Sequence, residues 1–205
     1  MASIVVPFRS PDAKRRLAPL GGDVRAELAL AMLGDVLAAA VAVAPTTLVT
    51  SAGAVAARSL ATSLGAAVLT EPRGGQGAAV TAALAAVPEE PLLVLNADVP
   101  SVQPRDLLAL LGAIPPGGVA LVAALDGTTN ALALASPRLF EPLYGPGSAA
   151  RFLHHAEQAG LQAGVSRIPS LQDDVDTVED LERLGSSAGP RTLAALGALR
   201  VATAS

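Results

Sequence analysis

Four short apolar runs, Ser3–Phe8, Thr46–Thr50, 66–70 and 92–96, alternate with three longer segments of helical character. Strands this apolar, separated each time by a helix, fit a parallel sheet covered by helices on both faces. The first run is β-branched at Ile4, Val5 and Val6, as a buried strand prefers. Gly21-Gly22-Asp23 opens the first helix with Asp23 as its N-cap, Leu28, Met32, Val36 and Val43 form its stripe, and Pro45 ends it. The second helix is expected over 54–64, closed by Gly65 at C′, and the third over 76–87, before Pro88. A helix over 104–114 comes next. Strands over 119–124 and 130–135 then flank Asp126-Gly127, a hairpin turn signal. The pattern continues with a helix over 148–159 capped by Ser148, a last strand over 165–168 and a short helix over 177–184. One domain over 1–184 is expected, with 185–205 as a weakly specified C-terminal tail.

Composition narrows the class. The chain has 205 residues, enough for one α/β domain with a full core. Hydrophobic residues make up 51%, yet the longest apolar run, 36–44, has nine residues, and a membrane-spanning helix needs roughly 20. The N-terminus reads as a strand rather than a signal peptide, so cytoplasmic residence and no membrane partner are expected. Cys is absent, which excludes disulfides, thiolate catalysis and Cys-based zinc sites. A net charge of −4 with three Phe and one Tyr argues against nucleic acid as a partner.

In open α/β sheets, ligands bind beyond the carboxyl ends of the strands. Four loops at such ends carry chemistry. The first, from Pro7 to Leu17, holds Arg9, Lys14, Arg15 and Arg16, and Lys14 is the single Lys against thirteen Arg. Lys14 and Arg16 suit a phosphate chain, although the spacing is neither a Walker A loop nor a G-x-G-x-x-G turn; a solvated basic loop is the alternative. The second, Arg73-Gly74-Gly75-Gln76-Gly77, lets the backbone approach a ligand at a helix start. The third places Asp98 after the fourth strand, where a carboxylate is a natural ligand for Mg²⁺. The fourth, 172–180, has four Asp within eight residues. Asp174 and Asp176 sit two apart, so in an extended segment both face one way, and like charges that close call for a cation. A helix cap at Asp176 or Thr177, with Glu179 or Asp180 in the first turn, is the competing use of the same residues.

Five short motifs in order across residues 3–184 give these loops a common identity. They are Ala13-Lys14-Arg15-Arg16-Leu17, Ala97-Asp98-Val99-Pro100, Gly127-Thr128-Thr129-Asn130-Ala131, Tyr144-Gly145-Pro146-Gly147-Ser148, and Asp174-Val175-Asp176-Thr177 running on to Asp180-Leu181. With them the chain resembles the small guanylyltransferases of coenzyme F-420 biosynthesis, which act on 2-phospho-L-lactate or phosphoenolpyruvate and are similar in fold to the molybdenum-cofactor guanylyltransferases. The resemblance implies a single-domain, Rossmann-like (GT-A-like) nucleotidyltransferase with a mostly parallel central sheet.

It also implies roles. Asp98, Asp174 and Asp176 would hold two Mg²⁺ ions, with Asp98 also catalytic. Lys14 and Arg16 would meet the GTP phosphates as catalytic groups. Pro7 and Gly75, Gln76 and Gly77 would border the nucleoside, and Asn130, Gly145 and Ser148 the acid substrate. Three positions depart from the family's usual pattern: Arg9 for Lys, Gly77 for Asn and Asn96 for Gly or Pro. GTP and phosphoenolpyruvate or 2-phospho-L-lactate are the expected partners. A homodimer and hand-over of a labile product to a downstream transferase are further expectations. Transfer to 3-phosphoglycerate, a sugar phosphate or molybdopterin, and non-catalytic GTP binding, are the alternatives.

Overall fold

A computed structural model describes residues 2–9, 17, 20–70, 74–87 and 91–203, with side chains described as far as residue 199. The elements are β1 (Ser3–Phe8), α1 (Gly22–Val41), β2 (Thr46–Thr50), α2 (Val55–Ser63), β3 (Ala67–Thr70), α3 (Gln76–Leu84), β4 (Leu92–Leu95), α4 (Pro104–Gly112), β5 (Val119–Ala123), β6 (Thr129–Leu134), α5 (Ser148–Gln158), β7 (Ala163–Val165), α6 (Pro169–Gln172), α7 (Val178–Leu184) and α8 (Pro190–Thr203). One seven-stranded sheet joins them in the order β3-β2-β1-β4-β6-β5-β7. Only β6 runs antiparallel, to both β4 and β5; β1, β2, β3 and β4 pair in parallel, as do β5 and β7.

The period-2 alternation of the strands divides the core between the two faces. Ile4 and Val6, with Leu93 and Leu95, pack under α1, α2 and α4 on one face. Val5, with Leu92 and Val94, packs against Ala79 and Val80 of α3 and Phe152 of α5 on the other. Apart from Ser3 at its start, β1 carries no polar residue, and β4 carries none, because both of their faces are covered. A third cluster joins Leu28 and Met32 of α1 to Val175, Leu181 and Leu184.

Several details differ from the sequence expectation. α1 begins two residues earlier than a cap at Asp23 allows: Gly21 is the N-cap and Asp23 lies in the first turn. Likewise Gly147, in the left-handed region at φ 68°, caps α5, and Ser148 is its first helical residue. A glycine takes the cap wherever the entering chain needs a positive φ. The third helix ends at Leu84, short of residue 87. The last strand is Ala163–Val165, earlier than 165–168, because its partner β5 aligns Val119 with Ala163. Residues 190–203, which carry no apolar stripe to announce a helix, form α8 against α1.

Candidate active site

β1 and β4 are neighbours, yet the chain leaves β1 for β2 on one side and reaches β4 on the other. Such a change of direction opens a crevice at the carboxyl ends of the two strands. Pro7 lies at that end of β1, and Asn96-Ala97-Asp98 follows β4 directly. Lys14 and Arg16 lie outside the described residues.

The acidic residues converge there. Asp98, Asp174 and Asp176 each bring a carboxylate oxygen to within 4.8 Å of the others. The convergence has a local cause. Val175 N donates to Asp98 O at 2.9 Å, which lays the 174–176 segment alongside the β4 loop in extended form. Val175 itself is fully buried in the third core cluster, so its two flanking side chains face the opposite way. The sequence pattern anticipates this shared face. Burial pushes the Asp174 carboxyl up to about 6, the nearby Asp98 charge adds to the rise, and Asn130 and the backbone only partly offset it. Three half-buried carboxylates crowded together, all of them hard oxygen donors, fit a divalent cation of the Mg²⁺ or Mn²⁺ kind.

The rest of the Asp run has a different fate. Thr177 is the N-cap of α7, its side chain accepting from Asp180 N at 3.2 Å in a capping box. Asp180 Oδ2 accepts from the amides of Asp176 and Thr177 at 2.9 and 2.8 Å, and its Oδ1 meets Arg183 at 2.9 Å. Burial works upward on Asp180, but these donors outweigh it and hold the carboxyl below its ordinary value. The cap reading is thus met at Thr177 and Asp180, while Asp174 and Asp176 stand apart from the cap and face Asp98.

A cleft of about 420 Å³, lined by Arg9, the segment from Gly74 to Ala78, Pro142, Tyr144 and Gly145, is tied to the carboxylates by side-chain amides that run from Gln76 through Asn96 and Asn130 to Asp174. It joins two groups of predicted site residues, Gly75, Gln76 and Gly77 on one wall and Gly145 on the other. A Cβ on Gly77 would lie 2.7 Å from Pro142 Cβ and 3.2 Å from its Cα. The close approach of α3 to that wall leaves no room for a side chain, which accounts for Gly where Asn is common. The Tyr144 ring stacks edge-on against Phe152 at 5.3 Å between centroids. Its hydroxyl is buried without a hydrogen-bond partner, and burial raises its pKa.

Asn130 and Ser148 are placed beneath the cleft rather than on its surface. Asn130 is 1% exposed, and its Nδ2 donates to Asp174 Oδ1 at 3.2 Å and to Gln172 O at 3.3 Å. Ser148 is fully buried, with Oγ donating to Thr129 Oγ1 at 3.0 Å. Arg151 is a contributor that the sequence motifs do not single out. It donates to Leu143 O at 3.2 and 2.8 Å, to Tyr144 O at 3.0 Å and to Pro146 O, gripping the loop that carries Gly145. It sits on α5, three residues beyond the Tyr144-to-Ser148 motif, and nothing in the sequence shows that it folds back onto that loop.

Both the sequence and the fold have relatives among known proteins. The family model described as "Guanylyl transferase CofC like" matches residues 2–188. A phosphoenolpyruvate guanylyltransferase of Streptomyces scabiei is 38% identical over 213 residues, covering 97% of each chain. Among solved structures, a nucleotidyl transferase from Methanothermobacter superposes with a TM-score of 0.69 at 17% identity, over 90% of this chain and 95% of that one. A glucosyl-3-phosphoglycerate synthase from Mycobacterium tuberculosis, determined with Mg²⁺ and uridine diphosphate, superposes with a TM-score of 0.56 at 14% identity, over 97% of this chain and 79% of that one. These two structures share the fold of a nucleotidyltransferase of the GT-A kind. No helix among the described residues is long and apolar enough to cross a membrane.

Proposed function

Because the chain belongs to the guanylyl transferase CofC like family, and is by that membership a nucleotidyltransferase, we propose that it transfers GMP from GTP to phosphoenolpyruvate, releasing pyrophosphate. 2-Phospho-L-lactate is the second candidate acceptor, being close to it in shape and charge. The transfer is a step in coenzyme F-420 biosynthesis, carried out in the cytoplasm by the domain over 1–184. The observation that carries this reading is the convergence of Asp98, Asp174 and Asp176, tied by side-chain amides to a cleft bordered by the glycine-rich loop.

A phosphate oxygen of the acceptor attacks the α-phosphorus of GTP in line. The bond from that phosphorus to the bridging oxygen of the β-phosphate breaks, and pyrophosphate leaves. The acceptor oxygen is already ionised, so no general base is required. Asp98, Asp174 and Asp176 would hold the magnesium, as two ions. When bound, it neutralises charge on the α-phosphate and draws the nucleophile to it. Pro7 and Gly75, Gln76 and Gly77 border the nucleoside. Gly145, on a loop fixed by Arg151, faces the acid, with Asn130 and Ser148 bracing that side from below. Lys14 and Arg16 stabilise charge on the departing pyrophosphate. Self-association into a homodimer and delivery of the product to a downstream transferase complete the proposal.

Pyrophosphate release with Mg²⁺ tests it, each nucleoside triphosphate being paired with phosphoenolpyruvate, 2-phospho-L-lactate and 3-phosphoglycerate. Release with GTP and one of the first two acids supports the reading and names the acceptor. Turnover only with a sugar phosphate or molybdopterin, or binding of GTP with no release, would reject it.

A further inference from the structure

A row of three side-chain amides runs under the cleft, and its middle link is Asn96, a residue the proposed reaction leaves without a role. Gln76 Nε2 donates to Asn96 Oδ1 at 2.7 Å. Asn96 Nδ2 in turn donates to Asn130 Oδ1 at 3.1 Å and to Thr129 O at 3.3 Å. Asn130 Nδ2 donates to Asp174 Oδ1 at 3.2 Å and to Gln172 O at 3.3 Å.

The direction of an amide is fixed by what its partners are able to do. A backbone carbonyl only accepts. Thr129 O therefore turns the NH₂ of Asn96 towards β6, and Gln172 O independently turns the NH₂ of Asn130 towards Asp174. Flipping Asn96 would set its oxygen against Thr129 O and Asn130 Oδ1, and flipping Asn130 would set its oxygen against Gln172 O and the Asp174 carboxylate. With Asn96 held this way, its Oδ1 faces Gln76 and takes that residue's NH₂. Gln76 lines the cleft and makes no other side-chain hydrogen bond among the described residues. Its remaining polar atom is a carbonyl oxygen, which accepts and never donates.

We propose that Asn96 is a positioning residue that holds the Gln76 amide with Oε1 as the available end, so that the cleft selects a nucleobase by accepting a hydrogen bond from it. Resting on the guanylyl reading, the donor is the exocyclic amine of guanine. Without Asn96, Gln76 turns freely and presents donor or acceptor alike. The selectivity is thus set one residue back from the ligand.

XTP is the informative probe, because it replaces the guanine amine with a carbonyl oxygen and sets acceptor against acceptor. The intact chain should prefer GTP over XTP in kcat/KM. Asn96→Ala should raise KM for GTP about five-fold, the equivalent of one neutral hydrogen bond, with kcat held within about two-fold. It should also narrow the GTP-over-XTP preference by roughly ten-fold, because XTP no longer meets a fixed acceptor. Gln76→Ala should narrow that preference as far, and the double variant should narrow it no further, since the two residues act as one unit. An unchanged preference in Asn96→Ala, or independent losses that multiply in the double variant, would overturn the proposal. If Asn96→Ala fails to fold, Gln76→Ala decides alone: an unaltered GTP-over-XTP ratio there rejects it. Guanylyl transfer by the intact chain with an Asn96-independent preference removes only this inference. Transfer from another nucleotide and not GTP removes the guanylyl reading, and the base assignment with it.

Discussion

Asp35 and the Asp98–Asp174–Asp176 group are both carboxylate sites in the body of the fold, but their surroundings differ. Asp35 is 5% exposed on α1, and its two oxygens accept from Arg191 N at 3.0 Å and Thr192 N at 2.8 Å at the start of α8. The chain is shaped around it: a Cβ on Gly189 would lie 2.3 Å from Asp35 Cγ. In the second region three carboxylates face one another, and the Asp174 carboxyl is pushed up to about 6 by burial and then by Asp98. A carboxylate given amide donors at a helix start holds structure together. Carboxylates crowded together cost stability until a cation arrives, and such a cost is a common mark of a functional site.

The largest expected contrast is in turnover. Asp98→Ala should lower kcat by about 10³-fold or more, because the developing charge loses its cation, while the melting temperature without metal stays level or rises. Steady-state kinetics and a thermal melt check both halves. Near-normal turnover would take Asp98 out of the site. Asp35→Ala should do the reverse. It strips two charge-assisted hydrogen bonds and leaves buried amides unpaired, a loss of about 2–3 kcal/mol. For a chain of this size that lowers the melting temperature by roughly 5–10 °C, with kcat/KM for GTP little changed at a temperature where the variant is folded. An undiminished melting temperature would break the comparison on the structural side.

Much of this was legible in the residues themselves. The apolar runs and their Gly and Pro punctuation place β1, β2 and β4 within a residue, and the Asp-x-Asp spacing anticipates one shared face for Asp174 and Asp176. What the sequence hides is contact at long range. The insertion of antiparallel β6 between β4 and β5 depends on pairing Leu92 with Leu134, and no local pattern announces it. The Gln76–Asn96–Asn130 row joins residues 20 and 34 positions apart. Asp35 reads as a polar interruption at the edge of an apolar run, because its partners are 156 and 157 residues away. α8 is rich in Ala and Leu all round, so no stripe marks the side that meets α1.

A smaller effect separates the two regions by pH. The Asp174 carboxyl titrates higher in the folded chain than in the unfolded one, so between the ordinary carboxylate range and about 6 the folded chain binds more protons. Stability without metal therefore falls as pH rises through that window and is level above it. Metal and proton compete for the same oxygens. Mg²⁺ at ten times its dissociation constant should raise the melting temperature by about 3–6 °C above pH 6.5, and the gain should fade below pH 5. Melts with and without Mg²⁺ across that range measure it, and Asp35→Ala should keep the full magnesium gain above pH 6.5. A magnesium shift that ignores pH would mean that Asp174 is not a ligand.

The smallest effect lies at Asp180, where the two kinds of region meet. It belongs to the same acidic run as Asp174 and Asp176, yet like Asp35 it accepts from two backbone amides. Those of Asp176 and Thr177, with the guanidinium of Arg183, hold the Asp180 carboxyl low. Asp180→Asn keeps an oxygen for those amides but gives up the charge, a loss of about 1 kcal/mol. The melting temperature should drop by roughly 2–4 °C at pH 7. A carboxylate with a lowered pKa contributes stability that is present above its unfolded value and lost as pH falls through its folded one, so the variant and the parent should converge in acid. Because the same oxygen fixes the amide of Asp176, the variant should also need about twice the Mg²⁺ for half-maximal turnover, with kcat kept once magnesium saturates. A loss of kcat at saturating magnesium would instead place Asp180 among the groups that act on the substrate, and the division between structural and functional carboxylates would have to be redrawn through α7.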